Sequence, residues 1–188
     1  MNILPPAQRR LWPELRNTLN LGFTLYGGTA VALRLGHRHS VDFDFFSEKP
    51  LDREAIKAAL PFAVQSTTLQ DQSNTWVILV SYGDFEREYV KVSFFGTITF
   101  GRVGEPDFTD DGVLRVASFN DLMATKLKVV LQRAEAKDYR DVAAMLSTGV
   151  SLSQETAILA YATKNRIRSS LGFEILSKTL RNNEELKR

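Results

Sequence analysis

A chain of 188 residues, 44% of them hydrophobic, is long enough to bury a core and should fold as one domain or two tightly packed subdomains. With no cysteine and only two histidines, His37 and His39, it excludes disulfides, thiolate metal sites, thiol nucleophiles and a His-rich zinc centre, so any metal would be a hard ion held by oxygen. The net charge of +2 is unevenly spread: residues 1–114 hold 11 Lys and Arg against 14 Asp and Glu, residues 115–188 hold 13 against 8, and a basic second half beside an acidic first half suits a polyanion partner.

In chain order, Pro6 to Leu19 reads as a helix opened by proline, and Gly22 to Tyr26 as a short strand. Gly27-Gly28 turns the chain into a helix, Ala30 to Leu35, that Gly36 stops; the link His37-Arg38-His39-Ser40 leads into a strand, Val41 to Phe46. Pro50 and Asp52 open another helix, which ends at Leu60 before Pro61. Phe62–Gln70, Thr75–Tyr82 and Glu88–Phe95 are rich in Val, Thr, Phe and Tyr, and the links Asp71-Gln72-Ser73 and Gly83-Asp84 make them an antiparallel meander. Phe100 to Gly112, with three glycines, a proline and several acids, reads as the connection between subdomains 1–114 and 115–188.

Beyond it the pattern is helical. Ser118-Phe119-Asn120-Asp121 fits a capping box, and Phe119, Leu122, Met123, Leu127, Val130 and Leu131 recur at helical spacing. Further helices are expected over Asp138–Leu146, Ser153–Thr163 and Arg166–Leu180, with a frayed charged tail at Arg181–Arg188. No apolar run reaches the roughly 18–20 residues of a membrane span, and the N-terminus lacks a basic segment followed by an apolar one. A soluble, cytoplasmic protein without a membrane partner is expected.

Three local features could carry chemistry. In the strand Val41-Asp42-Phe43-Asp44-Phe45, successive side chains face opposite ways, so Asp42 and Asp44 share one face and the apolar residues the other. Paired carboxylates repel unless a cation sits between them, and magnesium takes one or two carboxylates while water and phosphate complete its shell. The glycine pair Gly27-Gly28 lies between a strand and a helix, where missing side chains let phosphate oxygens approach backbone N–H groups, and Thr29 adds a hydroxyl. Farther on, on a helix running unbroken at about 100° per residue, Arg133 and Lys137 would fall within roughly 20° of Lys126, and Asp141 within roughly 60°. That stripe could neutralise phosphate, or be a solvated helix face with a Lys137–Asp141 pair.

Strand, Gly27-Gly28-Thr29, helix and then Asp42-x-Asp44 on the next strand resembles the polymerase-beta-like nucleotidyltransferase superfamily. The fuller string from Gly27 to Phe46, with Asp121 to Leu127 and Arg133 to Val142, resembles the AbiEii/AbiGii toxin family over about Gly22 to Leu146. The resemblance implies an α+β protein: a minimal nucleotidyltransferase fold, a mixed sheet with flanking helices, followed by a helical C-terminal subdomain. It implies nucleotidyl transfer from a nucleoside triphosphate, with magnesium as cofactor, an RNA acceptor such as a tRNA end, and a cognate antitoxin as partner.

By the same resemblance, Asp42 and Asp44 hold magnesium, Gly27, Gly28 and Thr29 cradle the triphosphate, and Lys126 contacts phosphate. Asp141 fills the late acidic position, with Asp138 as the competing choice; Arg38, Arg133 and Lys137 are further nucleotide contacts. Superfamily enzymes often carry a third carboxylate on a later strand, but Ser93 stands at that place in Tyr89–Phe95 and shares a face with Lys91. This departure keeps open a degenerate protein that binds nucleotide or RNA without catalysis; a phosphotransferase that moves the terminal phosphate is a separate alternative.

Overall fold

The chain divides into two units, Met1–Leu122 and Met123–Arg188, and the computed structural model describes residues 3–82, 88–98, 102, 104–133 and 135–149. The first unit opens with α1, Pro6–Leu11, which passes directly into a 3-10 segment, Trp12–Thr18. A single α-helix to Leu19 was the expectation; Pro13 lacks an N–H for the α ladder and favours the tighter winding. Then come β1 (Thr24–Tyr26), α2 (Gly27–Leu35), β2 (Asp42–Phe46), α3 (Arg53–Ala59), α4 (Pro61–Val64), β3 (Thr67–Gln72), β4 (Thr75–Tyr82) and β5 (Glu88–Phe95). Two short strands follow, β6 (Asp107–Phe108) and β7 (Arg115–Val116).

All seven strands form one mixed sheet in the order β3-β4-β5-β2-β1-β7-β6. The meander β3-β4-β5 is antiparallel, as its hairpin signals indicate. β2 then runs parallel to β5 and antiparallel to β1, so it is flanked on both sides. Central placement suits its alternating sequence: Phe43 and Phe45 are fully buried, while Asp42 and Asp44 on the opposite face remain partly exposed.

The apolar face is an aromatic layer. Phe45 stacks on Phe94 at 5.7 Å, Phe94 on Trp76 at 6.0 Å, and Trp12 of the 3-10 segment lies 6.2 Å from Phe43. Burying each such side chain contributes about 1.5–3 kcal/mol. Local signals set the helix ends. Gly36, in the left-handed region at φ 64°, closes α2 by donating its N–H to Ala32 at 2.8 Å. Asp52 caps α3 by accepting from Ala55 N–H at 3.0 Å.

Three segments differ from expectation. Phe62 and Ala63 are buried in α4 rather than opening a strand, because Pro61 presets the φ of a first helical turn. The turn between β3 and β4 falls at Ser73-Asn74. The Gly-rich stretch read as a connection contains β6, which pairs antiparallel with β7, itself parallel to β1, and so belongs to the sheet of the first unit. A two-residue strand held by backbone bonds leaves no pattern of side chains to read. The Gly83-Asp84 link lies outside the described residues.

α5 (Phe119–Gln132) begins at a cap in which Asp121 N–H donates to Ser118 Oγ at 3.1 Å. In the second unit it is followed by α6 (Ala136–Leu146), and the winding breaks at Glu135, whose backbone is extended at φ −94° and ψ 133°. The expected helices at Ser153–Thr163 and Arg166–Leu180, and the tail, lie outside the described residues. Among those described, no helix is long and apolar enough to cross a membrane.

Candidate functional site

In the first unit the chain leaves β1 at Tyr26 and enters α2 through the glycine pair. Gly27 has φ 71°, a left-handed conformation that side chains resist, and a Cβ built on it would run into the Asp44 carboxylate. A Cβ on Gly28 would run into the Arg38 guanidinium, with Ser40 Oγ 3.5 Å away. Gly27 is required by its left-handed backbone, and the space left by the two missing side chains is taken by the Asp44 carboxylate at Gly27 and by the Arg38 guanidinium at Gly28. Arg38 is steadied by donating Nη1–H to the His39 carbonyl at 2.9 Å.

Thr29 is placed differently from a side chain that reaches outward. It is buried, donates its hydroxyl to the backbone carbonyl of Asp42, and lies 2.8 Å from Ser40 Oγ. These bonds tie the first turn of α2 to the start of β2, which fixes the distance between the glycine turn and the carboxylate strand. Ser40 was not singled out from the sequence, and its part in this tie has no local signature.

Register sets what lies beside the carboxylates. Parallel pairing of β2 with β5 puts Lys91 opposite Asp42 and Ser93 opposite Asp44. Lys91 Nζ reaches Asp42 Oδ2 at 3.0 Å, and Ser93 is buried. Among the described residues no three His, Cys, Asp or Glu side chains converge on a metal-binding point. The donor set still fits magnesium: two carboxylates on one strand face give hard oxygen ligands, and a nucleotide's phosphates and water would supply the remainder of a six-oxygen shell.

The second unit holds the remaining candidates. Its break at Glu135 brings α6 back to α5, so Lys126 Nζ lies 2.8 Å from Asp138 Oδ1 and 2.6 Å from Asp141 Oδ2. Both carboxylates have no exposed surface and Lys126 is 6% exposed. Arg133 adds a contact from Nε to Asp138 Oδ2 at 3.3 Å, while exposed Lys137 pairs with Glu135 at 2.9 Å. The unbroken basic stripe is thus replaced by a buried, charge-matched cluster, and the partner of Asp141 is Lys126, not Lys137. An unbroken α-helix cannot fold back in this way. Asp42, Asp44, Gly27, Gly28, Thr29 and Arg38 belong to one unit; Lys126, Arg133, Lys137, Asp138 and Asp141 belong to the other.

The sequence profile of the family described as "Nucleotidyl transferase AbiEii toxin, Type IV TA system" matches residues 10–187. Protein aq_aa25 of Aquifex aeolicus (strain VF5) is 31% identical over 144 residues, 71% of this chain, and the match spans 66% of that protein's own length. JHP933 from Helicobacter pylori superposes with a TM-score of 0.56 at 16% identity, covering 97% of either chain. The antibiotic-resistance factor ANT(2'')-Ia reaches 0.60 at 13% identity, over 85% of this chain and 93% of its own. MenT4, a nucleotidyltransferase toxin of Mycobacterium tuberculosis H37Rv, reaches 0.52 at 20% identity, over 72% of this chain and 55% of its own. At such identities these structures share the fold, an α+β mixed sheet with flanking helices. With the family profile covering nearly its whole length, the chain belongs to the AbiEii family of nucleotidyltransferase toxins.

Proposed function

We propose that the chain moves a nucleoside monophosphate from a nucleoside triphosphate to RNA, a tRNA end being the favoured acceptor, as the cytoplasmic toxin of a toxin–antitoxin pair. The observation that carries the reading is the glycine turn: Gly27 faces the Asp44 carboxylate while Gly28 faces the Arg38 guanidinium. A side-chain-free backbone with a cation on one side and a metal-binding carboxylate on the other matches the needs of a magnesium triphosphate. The preference for RNA rests on family membership and the basic second half of the sequence.

In this reading Gly27 and Gly28 let the triphosphate approach the backbone, and Arg38 can grip phosphate oxygens with two N–H groups. Thr29 sets the turn against β2 rather than meeting the nucleotide. Asp42 and Asp44 would hold magnesium, which would supply positive charge to the phosphates. The acceptor hydroxyl oxygen forms a bond to the α-phosphorus in line with the departing oxygen, the α–β phosphoanhydride bond breaks, pyrophosphate leaves, and the hydroxyl proton passes to a nearby base. For the second unit we propose the roles that the sequence resemblance implies, Lys126 on phosphate, Asp141 or Asp138 as the late acid and Arg133 and Lys137 as further nucleotide contacts, which require the Lys126 ammonium to turn from its two buried carboxylates to a phosphate.

The test supplies each of the four labelled nucleoside triphosphates with magnesium and total RNA. Label should enter RNA with release of pyrophosphate, and Asp44→Ala should abolish it. Labelling by a folded Asp44→Ala protein would sink the assignment of that residue. Release of a nucleoside diphosphate would mean phosphotransferase chemistry instead, and magnesium-dependent nucleotide binding without any transfer would mean a degenerate binding protein.

A further inference from the structure

The face of the sheet that carries Asp42 and Asp44 continues onto β5. β5 runs parallel beside β2, and its residues on that face are Lys91 opposite Asp42 and Ser93 opposite Asp44. The strand that could have added a carboxylate therefore adds a neutral hydroxyl and an ammonium. Lys91 Nζ sits 3.0 Å from Asp42 Oδ2, with both side chains only partly exposed, so one carboxylate oxygen of the pair already faces a positive charge.

Charge counting decides what this arrangement can hold. Two divalent ions side by side repel strongly and need several anionic ligands between them. Asp42 and Asp44 together with Lys91 and Ser93 sum to a formal charge of about −1, and with Asp42 already paired to the ammonium a second divalent ion would be left almost wholly to the nucleotide's phosphates for its anionic ligands. An ammonium on a strand, unlike a dissociable ion, keeps its place at every nucleotide concentration.

We propose that Lys91 is a built-in cation that takes the place of a second metal ion, so that the carboxylate pair binds one divalent ion per nucleotide. The inference rests on the nucleotidyltransferase reading of Asp42 and Asp44 and deepens it. Lys91 acts on the carboxylates and on the phosphates they meet through its fixed charge, not by exchanging a proton. Its length lets the ammonium stay at Asp42 while its remaining N–H groups turn toward a phosphate oxygen.

Manganese provides the probe, counted by electron paramagnetic resonance on full-length protein with an equimolar α,β-methylene nucleoside triphosphate, which cannot be cleaved at the α–β link. One Mn2+ per wild-type chain is expected, one for Lys91→Arg, and two for Lys91→Glu, whose added carboxylate replaces the ammonium. Two ions in the wild type overturn the role of Lys91 while leaving the nucleotide reading intact, and this count needs no variant to fold. One ion in a Lys91→Glu protein with unaltered circular dichroism also overturns it. No ion in any of the three defeats the metal assignment of Asp42 and Asp44, and the inference with it.

Discussion

Single side chains in this protein are constrained by what stands against them more than by their own chemistry. Gly27 illustrates this, since it combines a left-handed backbone with the Asp44 carboxylate lying where a side chain would be. Gly27→Ala should cost about 1–2 kcal/mol in backbone strain, measured as a lower denaturant midpoint. It should also displace Asp44, so that transfer falls by far more than the lost stability explains; a variant that keeps wild-type transfer would separate the turn from the site. Lys126 is constrained by burial. Removing it in Lys126→Met leaves Asp138 and Asp141 with no exposed surface and without their nearest cation, a change worth about 3–5 kcal/mol of stability. Thermal unfolding of the variant checks this, and transfer measured well below its midpoint then reports whether Lys126 also meets phosphate.

Elements are joined by short polar ties whose strength depends on charge. The turn between β6 and β7 is held by Asp111, which accepts from Trp12 Nε1–H at 2.7 Å, from Thr109 Oγ1–H at 2.7 Å and from Val113 N–H at 3.1 Å. Burial pushes its carboxyl up, but the Thr109, Trp12 and Val113 bonds outweigh burial and hold it below its ordinary value. A lowered folded pKa means that the stabilisation is fully present above the unfolded value, about 3.9, and is lost as pH falls through the folded value. Wild type should therefore exceed Asp111→Asn in unfolding midpoint near pH 6, with the difference shrinking below about pH 4. A difference that stays constant to pH 2.5 would show that the carboxylate charge is irrelevant to the tie. This element was hidden in the sequence for a physical reason: β6 and β7 are two residues each, too short for alternation to register. β2 and β4, by contrast, bury every second residue along most of their length, and β4 and β5 were legible from their Val, Thr, Phe and Tyr content.

At the scale of the whole chain, the sequence makes the composition of a site legible but not its register. Asp42 and Asp44 on one face follow from strand period alone, whereas Lys91 opposite Asp42 requires knowing that β5 lies parallel beside β2, a pairing between residues 49 positions apart. The helical stripe failed for a related reason, because a break at Glu135 turns sequence neighbours into partners across two helices. Charge distribution is different, for it needs no register. The 13 Lys and Arg against 8 Asp and Glu in residues 115–188, beside the acidic residues 1–114, would give the proposed RNA acceptor an electrostatic grip along several of its phosphates. Binding of single-stranded RNA through three or four phosphates should weaken about twenty- to fiftyfold between 50 and 200 mM salt, following counterion release. In steady state the KM for RNA should rise with potassium chloride on that scale while the KM for the nucleoside triphosphate, which the proposed function places on Arg38 and a metal, rises much less. Equal salt dependence for both substrates would place RNA and nucleotide on the same charges and remove the basic second half from acceptor binding.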